Sequence, residues 1–182
     1  MRVIAGSHKG RRLKTPDWEG LRPTSDKLRE TLFNILAPRI AGARVLDAYA
    51  GTGALGIEAL SRGAAAVTFV ENDRRAQALI EANLAQCRID TGYNLVRGAV
   101  DRAVAPLRVP GFGPFDIVLL DPPYDMPGHT ALMKIDMLVA PNGVVVLEHA
   151  KRTAVPEQAG RLVLVRQVLS GDSTMSFYAV QA

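Results

Sequence analysis

Short apolar runs separated by longer amphipathic stretches set the pattern of this chain. Residues 44–48, 66–70, 93–96, 115–120 and 143–148 are runs of four to six mostly aliphatic or aromatic positions. They are too short for helices and do not alternate, the pattern of strands covered on both faces in a parallel sheet. Between them apolar residues recur at helical spacing. Leu28, Leu32, Phe33, Ile35 and Leu36 form a stripe within 26–36, and Ala78, Leu79, Ala82, Leu84 and Ala85 another within 74–87. Ser25 or Asp26 caps the first helix, Asp26 and Glu30 suit its positive end, and Pro38 is expected to end it. A further helix opens after Gly56 and runs to about Ser61, and another covers 129–139 before a turn at Pro141-Asn142-Gly143. The last two runs, 162–169 and 175–180, read as a hairpin about Ser170-Gly171-Asp172-Ser173. The alternation predicts an α/β fold: a doubly wound, Rossmann-like sheet closed by an antiparallel C-terminal hairpin. Right-handed crossovers bring the loops after the first, second and fourth strands to one rim, where such sheets place their chemistry.

The N-terminus departs from this pattern. Residues 2–5 and 11–14 read as two short strands of a small β-hairpin, which buries little and must lean on the rest. Arg2, Lys9, Arg11, Arg12 and Lys14 fall within the first fourteen residues with no acid among them, the composition of an arm that grips phosphate. Arg22 joins them at an Arg22-Pro23-Thr24 corner, in a connector that also carries Trp18. The expected organisation is a basic arm over residues 1–22 and one domain over 23–182, long enough to bury a core. A net charge of +4 favours a polyanionic partner. The single cysteine, Cys87, excludes an intrachain disulfide and fits a cytoplasmic protein. No apolar run approaches the ~20 residues that span a bilayer, so no membrane partner is expected. The three histidines lack metal-ligand spacing, no metal is expected, and no Ser-His-Asp order stands out.

Three rim segments carry candidate chemistry. Gly51, Gly53 and Gly56 fit G-x-G-x-x-G, which permits a tight turn and close approach of a ligand, and suits NAD and S-adenosylmethionine alike. Asp47, four residues before the first glycine and followed by Tyr49, favours a cationic ligand over a pyrophosphate, and so favours S-adenosylmethionine. Glu71, followed by Asn72, ends the second strand and can accept from two ribose hydroxyls; a helix cap is the plainer reading. Asp101 stands where an adenine amino group can be bound, and is equally placed to start a helix. The third segment is Asp121-Pro122-Pro123-Tyr124. Its prolines fix a stiff loop that cannot continue the ladder. It offers a carboxylate, a carbonyl and a flat ring, suited to a planar heterocycle bearing an exocyclic amino group.

Arg2-Val3-Ile4-Ala5-Gly6, Gly10-Arg11-Arg12-Leu13, Leu21-Arg22-Pro23-Thr24-Ser25-Asp26, Asp121–Tyr124 and Gly171-Asp172-Ser173 together resemble the RsmD family almost end to end. These are class I S-adenosylmethionine-dependent methyltransferases acting on N2 of a guanine in bacterial 16S ribosomal RNA. The resemblance implies that Asp47, Gly51 and Gly53 hold the methionine part, Glu71 the ribose, and Asp121, Pro122, Pro123 and Tyr124 the target base. It also implies 16S RNA or the small ribosomal subunit as partner; a monomer is expected. Many relatives carry an acid or amide at the position of Ala99, which here leaves adenine to backbone groups or Asp101. Amino methylation of another target, or RNA binding without catalysis, are the alternatives.

Overall fold

The computed structural model describes residues 1–18, 25–109, 111–123 and 126–181. The readings placed on Arg22 and Tyr124 lie outside the described residues.

The first helix, α1 (Asp26–Ile40), is capped as expected: Ser25 Oγ accepts from Leu28 N at 3.2 Å. It does not stop at Pro38. Proline there removes one N–H, and the carbonyl it leaves belongs to Asn34, on the exposed side with Pro38 itself. The last turn instead buries Leu36 and Ile40 in the core, which holds the helix together past the proline.

Strand and helix then alternate: β1 (Arg44–Asp47), α2 (Ala54–Ser61), β2 (Ala66–Glu71), α3 (Arg74–Gln86), β3 (Tyr93–Arg97), α4 (Val100–Leu107), β4 (Phe115–Leu120) and α5 (Gly128–Ile135). A 3₁₀ turn follows α5, then β5 (Val139–Ala150), a two-residue β6 (Gln158–Ala159), and the hairpin β7 (Leu162–Ser170) and β8 (Ser173–Val180). The eight strands form one sheet in the order β3-β2-β1-β4-β5-β8-β7-β6. The strands from β3 to β5 are parallel; β8 runs antiparallel between β5 and β7. One core lies between the sheet and α1, α2 and α3, the other beneath α4 and α5.

The expected turn at Pro141-Asn142-Gly143 falls inside β5. Pairing jumps from Phe115↔Val139 to Ile117↔Val144, and the surplus residues bulge outward with Pro141 and Asn142 exposed. Helix α4, with Val100, Ala103 and Leu107 buried on one stripe, was foreshadowed only by the possible start at Asp101.

In place of two N-terminal strands there is one antiparallel bridge, Arg2↔Arg12, with Val3 N donating to Arg11 O at 2.9 Å. A pair this short has no face of its own to bury. Val3 and Leu13 join the core beside α1, and side chains of the main body hold the rest. Glu58, fully buried on α2, accepts from Ile4 N (2.7 Å) and Ala5 N (3.0 Å). It also accepts from Arg62 Nε at 2.6 Å and faces the buried Arg29 guanidinium at 3.9 Å. Arg29 donates in turn to Arg2 O and to Asp26, each at 2.7 Å. Gly6 closes the turn so tightly that a Cβ would lie 1.8 Å from Ser61 O. Among the described residues, no helix is long and apolar enough to cross a membrane.

Glu58→Ala strands two backbone N–H groups and leaves Arg29 and Arg62 short of a partner. A loss of about 3–5 kcal/mol is expected in denaturant unfolding, the usual effect of breaking a buried ion pair. The variant should also become sensitive to proteolysis within residues 1–18.

Candidate functional site

A cavity of about 730 Å³ opens over the carboxyl ends of β1, β2, β4 and β5. The first wall is the β1–α2 loop. Asp47 closes β1, is buried, and accepts from Gly56 N at 2.9 Å through Oδ2, so one carboxylate spans the glycine loop. Burial pushes its carboxyl up to about 7; the Gly56 N–H opposes that rise, and the negative Glu71 adds to it. Gly53 supplies the left-handed residue that starts α2, at φ 75°. A Cβ on Gly56 would sit 2.2 Å from the Phe69 ring, so glycine there lets α2 lie close on β2.

Glu71 does something the sequence did not announce. Its Oε2 accepts from Gly51 N at 2.7 Å, and its Oε1 from Asn72 N at 2.7 Å and Asp73 N at 2.8 Å. Three of roughly four acceptor positions on the carboxylate therefore tie the glycine loop to the end of β2. Tyr49 lines the cavity with its hydroxyl 3.1 Å from Met126 Sδ. Burial, with the charge of Asp101 behind it, pushes the phenol up to about 12.

The far wall is the start of α4. Ala99 occupies its N-cap with no side-chain hydrogen bond. Asp101 also lines the cavity, and its Oδ1 pairs with Lys134 Nζ of α5 at 2.6 Å. Lys134 was not foreseen; one lysine on an amphipathic helix carries no signal of its own.

The floor comes from β4 and β5. Asp121, Pro122 and Pro123 all line the cavity, and Met126 N donates to Pro123 O at 2.9 Å. Leu120 pairs with Leu147, so the next residues, Asp121 just past β4 and Glu148 within β5, sit side by side. Burial raises the Asp121 carboxyl far above the carboxylate range, and the neighbouring charges of Glu148 and then Asp47 raise it further. Glu148 was missed, although an acid at the end of a buried strand is the signal that marked Asp47, Glu71 and Asp121. The β7–β8 turn (170–173) and Ser25 and Leu28 of α1 complete the rim. The turn had been read as a hairpin turn and as part of the resemblance, without a place at the site, and the apolar stripe of α1, Leu28 included, as core.

The basic candidates lie away from this floor. Arg2 is exposed, its Nε 3.7 Å from Asp26. The Arg11 guanidinium donates to the Cys87 carbonyl at the end of α3 and is partly buried. Lys9, Arg12 and Lys14 are exposed.

Comparison with known proteins gives one answer across the whole chain. The model of a family described as Conserved hypothetical protein 95 matches residues 1–179. Among curated relatives, the chain is 38% identical over 183 residues to the putative rRNA methyltransferase YlbH of Bacillus subtilis, covering 98% of each chain. It is 36% identical over 185 residues to ribosomal RNA small subunit methyltransferase D of Escherichia coli, covering 100% of this chain and 91% of the relative. Among solved structures, the putative methyltransferase yhhF of Escherichia coli superposes with a TM-score of 0.82 at 32% identity, covering 100% and 98%. The chain belongs to the RsmD family, the family described as Conserved hypothetical protein 95.

Proposed function

We propose that this chain transfers a methyl group from S-adenosylmethionine to the exocyclic N2 of a guanine in 16S ribosomal RNA. The observation that carries the reading is the convergence of Glu71, Asp121 and Glu148 on one cavity, with the Asp121-Pro122-Pro123 loop at its floor and the buried Asp47 close enough to interact with Glu71 and Asp121. Relatives named as ribosomal RNA methyltransferases support RNA as the substrate, and the family resemblance supports guanine N2.

The residues present fit the proposed cofactor. Asp47 and Asp121 are buried acids with raised carboxyls, a setting that repels a pyrophosphate and welcomes a ligand with ammonium and sulfonium charges. Asp47, Gly51 and Gly53 are assigned to its methionine part, Glu71 and Asn72 to the ribose, and Tyr49, Asp101 and the backbone at Ala99 to the adenine end. When bound, S-adenosylmethionine supplies a methyl group already activated on sulfur.

The chain's own work is then to orient the acceptor and take its proton. The N2 lone pair is delocalised into the purine. Accepting its hydrogens at Asp121 and at the Pro122 carbonyl localises the pair and aims it. The two prolines keep those acceptors fixed, so orientation costs little at the moment of reaction; such positioning supplies up to roughly 7–11 kcal/mol. Asp121 accepts the proton that N2 loses as the new N–C bond forms, a task to which its raised carboxyl is suited.

Asp121→Ala should lower methyl transfer to unmethylated 16S RNA by at least about 10²-fold while S-adenosylmethionine still binds. Transfer of labelled methyl with nucleoside digestion measures this, and an unchanged rate, or label outside N2-methylguanosine, would overturn the assignment.

The raised carboxyls also predict a pH dependence with a definite sign. Both acids lie above their ordinary value of 3.8 in the folded, ligand-free protein. The folded state therefore holds protons that the unfolded chain has lost. These groups reduce stability progressively as pH rises from about 4 towards the raised values, and no further above them. Asp121→Asn should raise the Tm of the ligand-free protein at pH 8 and leave it nearly unchanged at pH 4. Binding of a cation carries the opposite sign. S-adenosylmethionine should gain affinity between pH 6 and 8 relative to S-adenosylhomocysteine, whose sulfur is uncharged, and Asp121→Asn should flatten that gain. Calorimetric titrations of both ligands across this range test it; a ratio independent of pH in the wild-type protein would contradict the electrostatic account.

A further inference from the structure

The N-terminal residues run antiparallel along α3. Arg11 donates to the Cys87 carbonyl, Gln86 Nε2 donates to Arg12 O at 2.8 Å, and Lys14 N donates to Asn83 Oδ1 at 2.7 Å. At the other end of α3 the Arg75 guanidinium lies over the Trp18 ring, 4.9 Å from its centroid. The helix has 13 residues, so this track is about 20 Å long. It ends beside Asn72 and Asp73, which line the cavity. Arg12 and Lys14 are exposed along it, and Arg74 and Arg75 are exposed at its cavity end.

A line of cations ending in an aromatic–guanidinium stack is the construction by which proteins hold single-stranded nucleic acid. The cations follow the phosphates, and flat groups take the bases whatever their identity. The Arg75 side chain is 61% exposed although it is stacked, and Asp73 Oδ2 holds it from one edge at 3.0 Å. That edge contact fixes the plane of the guanidinium over the ring. A contact serving only to anchor the chain would gain more from burial, since an exposed cation–π pair contributes little to stability. Trp18 is itself only partly covered.

We propose that Trp18 and Arg75 form a stacking station for a nucleobase of single-stranded RNA that flanks the nucleotide whose base enters the cavity. The inference rests on reading the cavity as an RNA-modifying site. It assigns the track along α3 to the strand leading into that site and the stack to the last base held outside it.

Trp18 is the only tryptophan of the chain, so its emission reports on this one position. The probe is a fluorescein-labelled single-stranded RNA of about ten nucleotides, within the range of site sizes for such proteins. The RNA should quench the tryptophan with the same midpoint that anisotropy of the label gives. An abasic strand of equal length should bind more weakly and leave the emission unchanged. Trp18→Ala and Arg75→Ala should each weaken RNA binding by about 5- to 100-fold, the range for losing one aromatic–base stack. Trp18→Phe, which keeps a flat ring in place, should retain most of the affinity, and S-adenosylmethionine should bind all three variants like wild type. RNA that binds without changing the emission, or binds Trp18→Ala as tightly as wild type, overturns the station and leaves the cavity's function standing. A flat anisotropy titration with every variant overturns both.

Discussion

Four parallel strands deliver a carboxylate to the same rim, and the fold has to contain the repulsion. Asp47, Glu71 and Asp121 stand at or just past the ends of β1, β2 and β4, and Glu148 lies two residues before the end of β5. Water screens little in a half-enclosed cavity, so the charges must be met by protons or by dipoles. Backbone N–H groups answer Asp47 and Glu71: Gly56 for the first, and Gly51, Asn72 and Asp73 for the second. The same bonds shape the glycine loop, which has few side chains of its own to fix it. Charge in excess of those dipoles remains as the raised carboxyls of Asp47 and Asp121. The site is thus held together by acids and, when empty of cations, strained by them. That combination is expected of a surface built to be completed by a positively charged ligand.

The arm and the loop are tied through single buried side chains. Asn83, fully buried on α3, takes the N–H of Lys14 and donates from Nδ2 both to Lys14 O at 3.2 Å and to Thr52 O of the glycine loop at 2.9 Å. Glu58 performs the corresponding task one helix away, holding Ile4 and Ala5 from within α2, the helix that Asp47 anchors at Gly56. Neither contact stands alone in the energetics. Each replaces water around a backbone group that would otherwise be buried unpaired. The result is that residues expected to touch RNA and residues expected to touch the cofactor share the same rigid supports.

The parallel sheet was legible because its strands are continuous apolar runs, a pattern that tertiary context rarely overrides. Asp47, Glu71 and Asp121 were legible for the same reason: each breaks such a run at its carboxyl end. Glu148 obeys the rule equally and was passed over because no glycine loop or proline pair follows it. Pro38 misled because a helix-stopping residue acts through one missing hydrogen bond, and the burial of Ile40 outweighs that loss where the orphaned carbonyl faces water. Lys134 and Asn83 were illegible for a different reason. Their significance lies in partners 33 and 69 residues away, Asp101 and Lys14, and no local pattern encodes such a pairing. The basic arm was visible as composition, but not the use of the Arg11 guanidinium on the Cys87 carbonyl, which takes it from the solvent-facing group formed by Lys9, Arg12 and Lys14.

Protonation gives the proposed reaction an order. A neutral carboxyl at Asp121 keeps a carbonyl acceptor but turns its other oxygen into a hydroxyl donor, a weaker partner for an amino group than a carboxylate. Burial and the charges of Glu148 and Asp47 favour that form when the cavity holds no cation. Positive charge beside Asp121 and Asp47 favours the ionised form, a stronger acceptor that would act with the Pro122 carbonyl on an exocyclic amino group in the proposed reaction. In the proposed reaction, occupation of the cofactor site would therefore favour the form of Asp121 that best accepts from the base. With no cation beside Asp121 after transfer, the same burial and the same neighbours, Glu148 and Asp47, would favour the neutral carboxyl again. That form holds the proton taken from the amino group and accepts from it less strongly, so the burial that makes Asp121 respond to a cation also favours release of the product.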